Sequence, residues 1–152
     1  MKRHPWGKVP TITFKDGLTL YESRPIAKYL ASKYATHLLP SPSDLEAVAR
    51  FDQSSSVELI YFNEHANKIG FEKFAKKIMG LPSNEAVVDE AVNGLNSYFD
   101  VAEGILGKQD FMVGDQFMLV EIYYIPLIHR FFVCRLGDLI TSRKNVNAWW
   151  ER

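Results

Sequence analysis

The chain has 152 residues, 47% of them hydrophobic and 13% aromatic, and its 18 Lys and Arg are balanced by 18 Asp and Glu. That balance supplies no basic excess for a nucleic acid or an anionic membrane, and the apolar content excludes general disorder. A lone cysteine, Cys134, excludes an internal disulfide or thiolate zinc cluster, and no run nears the roughly 20 apolar residues of a membrane span or makes a secretory signal, so a soluble cytoplasmic protein is expected.

Val9 to Phe14 and Leu18 to Leu20 are rich in β-branched and apolar residues, and Lys15-Asp16-Gly17 separates them, which predicts a β-hairpin with an Asp-Gly turn. Ser23 follows as a predicted N-cap. Ile26, Ala27, Leu30 and Tyr34 at helical spacing then extend a helix that tolerates Pro25 only in its first turn. Residues 36–43 carry two prolines and several hydroxyls, the composition of a linker, so the chain divides into 1–35, 36–43 and a helical region 44–152.

In that region Ser43 and Glu46 have capping-box spacing and open a helix with Leu45, Val48, Phe51, Ser55 and Leu59 turned inward. Its polar middle, Asp52 to Ser56, is unusual for a core helix. A second helix is expected from about Phe71 to Met79, stopped by Gly80-Leu81-Pro82. The clearest stripe is Val88, Ala91, Val92, Leu95, Tyr98, Phe99, Ala102, Ile105 and Leu106, with Gly107 as a left-handed stop. Leu119 to Cys134 is apolar around most of its circumference, which places it at the centre of a bundle with a bend at Pro126. A last amphipathic piece lies near Asn145 to Trp150, and Trp149 and Trp150 so close to Arg152 predict packing left incomplete.

Residue types alone form no catalytic cluster. His4, His37, His65 and His129 lack metal-ligand spacing, Cys134 reads as a small inert hydrophobe, and Ser54-Ser55-Ser56 has no base in register. Two features of the first region differ. Val9-Pro10 opens a strand, and a cis bond there would turn the Val9 amide and carbonyl toward an extended ligand backbone. Glu22-Ser23 stands where strand meets helix: free amides and the Ser23 hydroxyl can donate to a carboxylate, while Glu22 can accept from an ammonium. Alone, Ser23 is a plain cap and Glu22 a solvated turn residue; together they describe a site for an amino-acid head group.

The run Gly7-Lys8-Val9-Pro10, the hairpin, and Leu20-Tyr21-Glu22-Ser23-Arg24-Pro25-Ile26 closely resemble the glutathione-binding half of the cytosolic glutathione transferases, nearest to the phi-like plant and fungal form. Phe111 to Phe117 with Glu121 to Leu127 resembles the bundle-core helix of that family, and Asn147 to Arg152 its terminal helix. The resemblance implies an α+β chain: residues 1–35 as the C-terminal half of a thioredoxin-like glutathione domain, then an all-α bundle domain over 44–152. It implies glutathione as co-substrate, a small hydrophobic electrophile, a homodimer and no metal. Carried over by position, Lys8 meets the glycyl carboxylate, Val9 pairs with the cysteinyl backbone beside cis Pro10, and Glu22 and Ser23 hold the γ-glutamyl end. Arg24 is expected in a subunit-interface ion pair, and Asp52 to Glu58 with Tyr61 and Phe62 along the electrophile pocket, although core packing serves the two aromatics equally.

The family's catalytic serine belongs to a strand-to-helix turn preceding the equivalent of Met1. The chain therefore reads as an N-terminally shortened transferase, with an unpaired strand edge and no assignable catalytic residue. The alternative is a non-catalytic binding or interaction module. A second departure is Met118 and Glu121, where relatives place Ser or Thr as N-cap and Asp three residues on, so Met118→Ser is expected to raise the melting temperature.

Overall fold

The structure is a computed structural model that describes residues 3–152. Strands β1 (Thr11–Thr13) and β2 (Thr19–Tyr21) pair antiparallel, with Thr11 opposite Tyr21 and Thr13 opposite Thr19. β1 is shorter than the sequence pattern implies, and β2 keeps its three residues but lies one position further on. Pro10 has no amide to donate to a ladder, and the Phe14 and Gly17 amides close the turn by donating to Leu18 O and Phe14 O. The turn thus consumes Leu18, and Gly17, at φ 89°, supplies its left-handed residue. Among the described residues the sheet has these two strands, and β1 leaves one edge unpaired.

Helix α1 (Ser23–Tyr34) follows β2 directly, and Ala31 carries it into the core. After a 3₁₀ turn, α2 (Leu45–Val57) begins one residue later than the capping-box spacing suggests: Asp44 accepts from the Ala47 amide at 3.0 Å, while the Ser43 hydroxyl pairs with Ser41. The inward face is rotated to match. Phe51 and Ser54 are buried, Ser55 is half-buried, and Leu45 and Leu59 point outward.

The separate second helix is a continuation of the first. A π segment (Glu58–Phe62) joins α2 to α3 (Asn63–Ile69), and another (Gly70–Ala75) joins α3 to α4 (Lys76–Ile78) without a break in helical backbone. The Asn63 amide reaches Glu58 O and that of Lys76 reaches Phe71 O, the wide i→i+5 closure of π turns. The predicted stop at Gly80 holds, at φ 69°.

Helix α5 (Glu85–Leu106) buries Val88, Ala91, Leu95, Phe99, Ala102 and Leu106 of the predicted stripe, half-buries Val92 and Tyr98, and leaves Ile105 exposed. Gly107 does not end it in left-handed backbone, since its φ is −73°. The space beside it is tight: a Cβ would lie 3.0 Å from Asn145 Nδ2 and 3.3 Å from Glu103 O. Helix α6 (Leu119–Val133) is central, burying Val120, Tyr124, Ile128 and Phe131, although Ile122 and Ile125 remain exposed. Phe62 fills the middle against Phe99, Tyr124 and Phe131 at centroid distances of 5.9, 4.8 and 6.0 Å.

Helices α7 (Asp138–Thr141) and α8 (Lys144–Glu151) close the bundle. The Glu103 carboxylate accepts from the Asn145 and Val146 amides, so α5 supplies the cap that α8 lacks. Trp149 is buried and donates to Glu121 Oε2 at 2.6 Å, and Trp150 stacks on Phe132 at 5.8 Å. Both indoles therefore find partners within the chain, contrary to the expectation of incomplete packing.

Candidate functional site

The Val9–Pro10 bond is cis. Val9 is 90% exposed just ahead of β1, and Lys8 is exposed beside it. Since Thr11 pairs with Tyr21, the hairpin register carries Val9–Pro10 and Glu22–Ser23 to the same end of the sheet. Strand-to-helix geometry then does something the sequence does not announce. Glu22 occupies the N-cap position, at φ 69° and ψ 131°, and Ser23 is the first helical residue. Such backbone costs a non-glycine residue about 1–3 kcal/mol and persists only where its surroundings enforce it.

Ser23 is therefore not the plain N-cap expected. No side chain among the described residues caps α1. Of the first-turn positions, Pro25 has no amide and Ile26 donates to Glu22 O at 3.2 Å. The Ser23 and Arg24 amides belong to the group that helix geometry leaves unpaired. The mouth of α1 offers two amides and a hydroxyl to an anion, with the Glu22 carboxylate beside them, 62% exposed.

His4 belongs to this arrangement, and sequence reasoning missed it. Its ring is buried, its Nδ1 accepts from the Trp6 amide at 3.2 Å, and its Nε2 lies 3.4 Å from Glu22 Oε1 without hydrogen-bond alignment. The Trp6 bond directs the proton of the neutral ring to Nε2, facing the carboxylate. Tyr21 packs on the ring at 4.9 Å and Trp6 closes the cluster at 6.1 Å. His4 sits in irregular backbone, so no periodicity marks it; only the hairpin register brings it under Glu22.

Arg24 has a different role from the interface pair expected. Its Nε and Nη2 donate to Glu58 Oε2 and Oε1, each at 2.6 Å, and its guanidinium lies 5.4 Å from the Tyr123 ring. Glu58 is completely buried in the first π segment. A bidentate, desolvated pair of this kind fixes orientation as well as distance. It ties the residue after Ser23 to the helical bundle.

The polar stretch of α2 divides between two hollows. Asp52, Ser55, Ser56 and Leu59 face a cleft of about 560 Å³ between α1 and the bundle, with Tyr29 and Tyr123 opposite. Burial pushes the Tyr123 phenol up to about 12. Ser54, Val57 and Tyr61 face instead a groove of about 650 Å³ against α5, floored by Tyr98 and Tyr124. Phe62 lines neither, being wholly buried in the core. His65 borders the groove with its ring laid on Gly94, where a Cβ would lie 2.4 Å from it. Among the described residues no three His, Cys, Asp or Glu side chains are grouped to hold a metal, and no helix is long and apolar enough to cross a membrane.

Comparison with known proteins matches residues 1–33 to the glutathione S-transferase N-terminal domain and 85–152 to the glutathione S-transferase C-terminal domain. A glutathione S-transferase of Arabidopsis thaliana is 37% identical over 150 residues, which cover 97% of this chain and 68% of the relative. The chain belongs to the glutathione S-transferase family. A fungal glutathione S-transferase, from Hypomyces subiculosus, is 35% identical, covering 99% of this chain and 72% of its own. A solved maize glutathione S-transferase I, in complex with an atrazine glutathione conjugate, superposes with a TM-score of 0.91 at 30% identity, covering 98% of this chain and 69% of that one. The hairpin and α1 are thus part of a glutathione S-transferase N-terminal domain, followed by the all-α C-terminal domain. The chain spans about 70% of the length of these relatives.

Proposed function

We propose that this chain binds glutathione at the hairpin end of α1, as part of a transferase that conjugates the glutathione thiolate to small hydrophobic electrophiles. The observation that carries this reading is the strained Glu22 beside the uncapped mouth of α1, on the same sheet end as cis Val9–Pro10. A γ-glutamyl group has one carboxylate and one ammonium. The Ser23 hydroxyl and amide take the first, and Glu22 takes the second. The Val9 backbone then pairs with the cysteinyl unit, and Lys8 meets the glycyl carboxylate. The electrophile sits in the cleft walled by Ser55, Ser56 and Leu59. We set the boundary between the two domains within residues 36–43 and the working form as a cytoplasmic homodimer.

Conjugation needs a donor that stabilises the thiolate, and no hydroxyl of this chain is assigned to it, because Ser23 serves the head group. The same geometry therefore suits a glutathione-binding module without chemistry. Retention on immobilised glutathione combined with a 1-chloro-2,4-dinitrobenzene assay separates the readings. Retention without turnover is expected. Turnover at an ordinary enzymatic rate refutes the reading without chemistry, and failure to bind glutathione refutes the site itself.

A further inference from the structure

His4 opens a tight turn in which the Gly7 amide donates to His4 O at 3.0 Å, Pro5 restricts the backbone, and Gly7 closes the turn at φ 66°. The ring is tied to the same turn, because Nδ1 accepts from the Trp6 amide. Tyr21 and Trp6 pack against the imidazole and against each other, the latter pair at 5.9 Å. With only 4% of its side chain exposed, His4 is the fixed member of the His4–Glu22 pair. Glu22 is the movable one: β2 and α1 set its backbone, while its carboxylate lies largely in solvent.

The pair is unfinished. Nε2 of His4 is buried without a hydrogen-bond partner, although Glu22 Oε1 lies 3.4 Å away. Buried ring nitrogens are nearly always satisfied, since a donor taken out of water and left unpaired is destabilising. Glu22 is the acceptor within reach, and a torsion of its exposed side chain brings the oxygen into line. A carboxylate has about four acceptor directions on its two oxygens, so one bond from Nε2 leaves the rest for a ligand. A neutral imidazole donates without cancelling the charge that attracts an ammonium.

On the reading of this site as the seat of the γ-glutamyl group, we propose that His4 is its positioning residue. Its Nε2–H donates to Glu22 Oε1 in the glutathione complex and holds the carboxylate against the ligand's α-ammonium. Immobilising a free glutamate side chain on binding costs entropy, and a rigid donor at a set place lowers that cost. His4 thereby makes the site selective for a free α-amine. The carboxylate half of the head group, taken by Ser23 and the amides of α1, is independent of it.

Two variants separate the ring's two nitrogens. His4→Asn keeps an acceptor where Nδ1 receives the Trp6 amide and removes the donor toward Glu22. His4→Gln does the reverse, reaching Glu22 with its amide and giving up the Trp6 bond. Isothermal titration is run with glutathione and with glutaryl-cysteinylglycine, the analogue without the α-amine. His4→Asn should weaken glutathione about five- to tenfold and leave the analogue within about twofold, whereas His4→Gln stays within about twofold of the parent for both. In a Glu22→Gly background, His4→Asn should cause no further loss. A purely structural role gives the opposite ranking, because His4→Asn is the variant that preserves the turn. That ranking, equal weakening of both ligands, or a loss that persists without Glu22 overturns the proposal. Binding that depends on Glu22 but is indifferent to His4→Asn overturns the proposal alone. Absence of glutathione binding by the parent chain, or affinity unchanged in Glu22→Gly, overturns the head-group reading and the proposal with it.

Discussion

The Trp149 indole donates to Glu121 Oε2 at 2.6 Å while Oε1 of the same carboxylate accepts from the Met112 amide at 2.9 Å, so one side chain joins α6, α8 and the loop before α6. Position 121 is the third residue of α6, where an acid commonly reaches back to the N-cap amide. Glu121 is one methylene longer than the Asp expected from the family resemblance and turns inward.

That burial sets a pH dependence. Desolvation raises the Glu121 acid to about 7, even though both hydrogen bonds favour the charged form. The folded chain therefore holds a proton that the unfolded chain, with an ordinary value of about 4.3, releases. Stability from this group is complete below about pH 4.3 and declines as pH rises through 7, by on the order of 3 kcal/mol. Glu121→Gln removes the titration. In thermal melts, the Tm of the Gln variant relative to the parent chain should climb steadily from pH 5 to pH 8, and a pH-independent difference would contradict the assignment.

The Arg24–Glu58 pair predicts an asymmetry. Arg24 is 22% exposed and Glu58 not at all, so removing one partner strands the other to different degrees. Arg24→Met leaves a carboxylate in the core and should cost about 3–5 kcal/mol. Glu58→Gln leaves a guanidinium that reaches water and keeps one acceptor, and should cost less. Urea midpoints of the two variants decide it; equal losses, or a larger loss for Glu58→Gln, contradict the burial argument.

Met118 holds the N-cap position of α6 at φ −124°, with no side-chain acceptor, and packs partly against the core. Replacing it by Ser gains a cap and loses that contact, so its comparison with the parent mixes two effects. Ser against Ala at position 118 isolates the cap, because both variants lose the methionine. Met118→Ser should exceed Met118→Ala by about 0.5–2 kcal/mol in chemical denaturation. Equal stabilities would mean that the α6 amides already have partners.

What could be read from the sequence followed from local rules. The α5 stripe recurs at helical spacing, and six of its nine predicted positions are buried, with Val92 and Tyr98 half-buried and Ile105 exposed. The hairpin and the cis Val9–Pro10 bond were likewise marked by residue types with strong backbone preferences. The two π segments were not, because a wider turn leaves no compositional trace and merely shifts a stripe, so one continuous helical run reads as two helices. His4 under Glu22 and Arg24 on Glu58 depend on tertiary approach over separations that no periodicity encodes.

Gly94 is a case in which the signal was present but unread. A glycine inside a long helix costs about 1 kcal/mol relative to alanine, so its presence calls for a packing reason. The reason is the His65 ring lying on its Cα. Gly94→Ala should destabilise by about 1–3 kcal/mol despite alanine's better helix propensity. Adding His65→Ala removes the clash and should leave the double variant more stable than Gly94→Ala alone, as measured by a double-mutant cycle.

Glu22 separates function from stability most cleanly. Its φ of 69° suits glycine, so Glu22→Gly relieves strain while deleting the carboxylate proposed to hold the γ-glutamyl ammonium. The variant should melt no lower than the parent, since the exposed side chain contributes little burial and loses only the loose 3.4 Å contact with His4. Its affinity for glutathione should nevertheless fall by about tenfold or more, the value of one charge-assisted hydrogen bond of about 1.5–3 kcal/mol. Glu22→Gln keeps an acceptor without the charge and should lie between them. Isothermal titration with glutathione, paired with thermal melts, distinguishes this from simple unfolding: binding lost with Tm retained supports the head-group role, whereas unchanged affinity in Glu22→Gly removes Glu22 from the site.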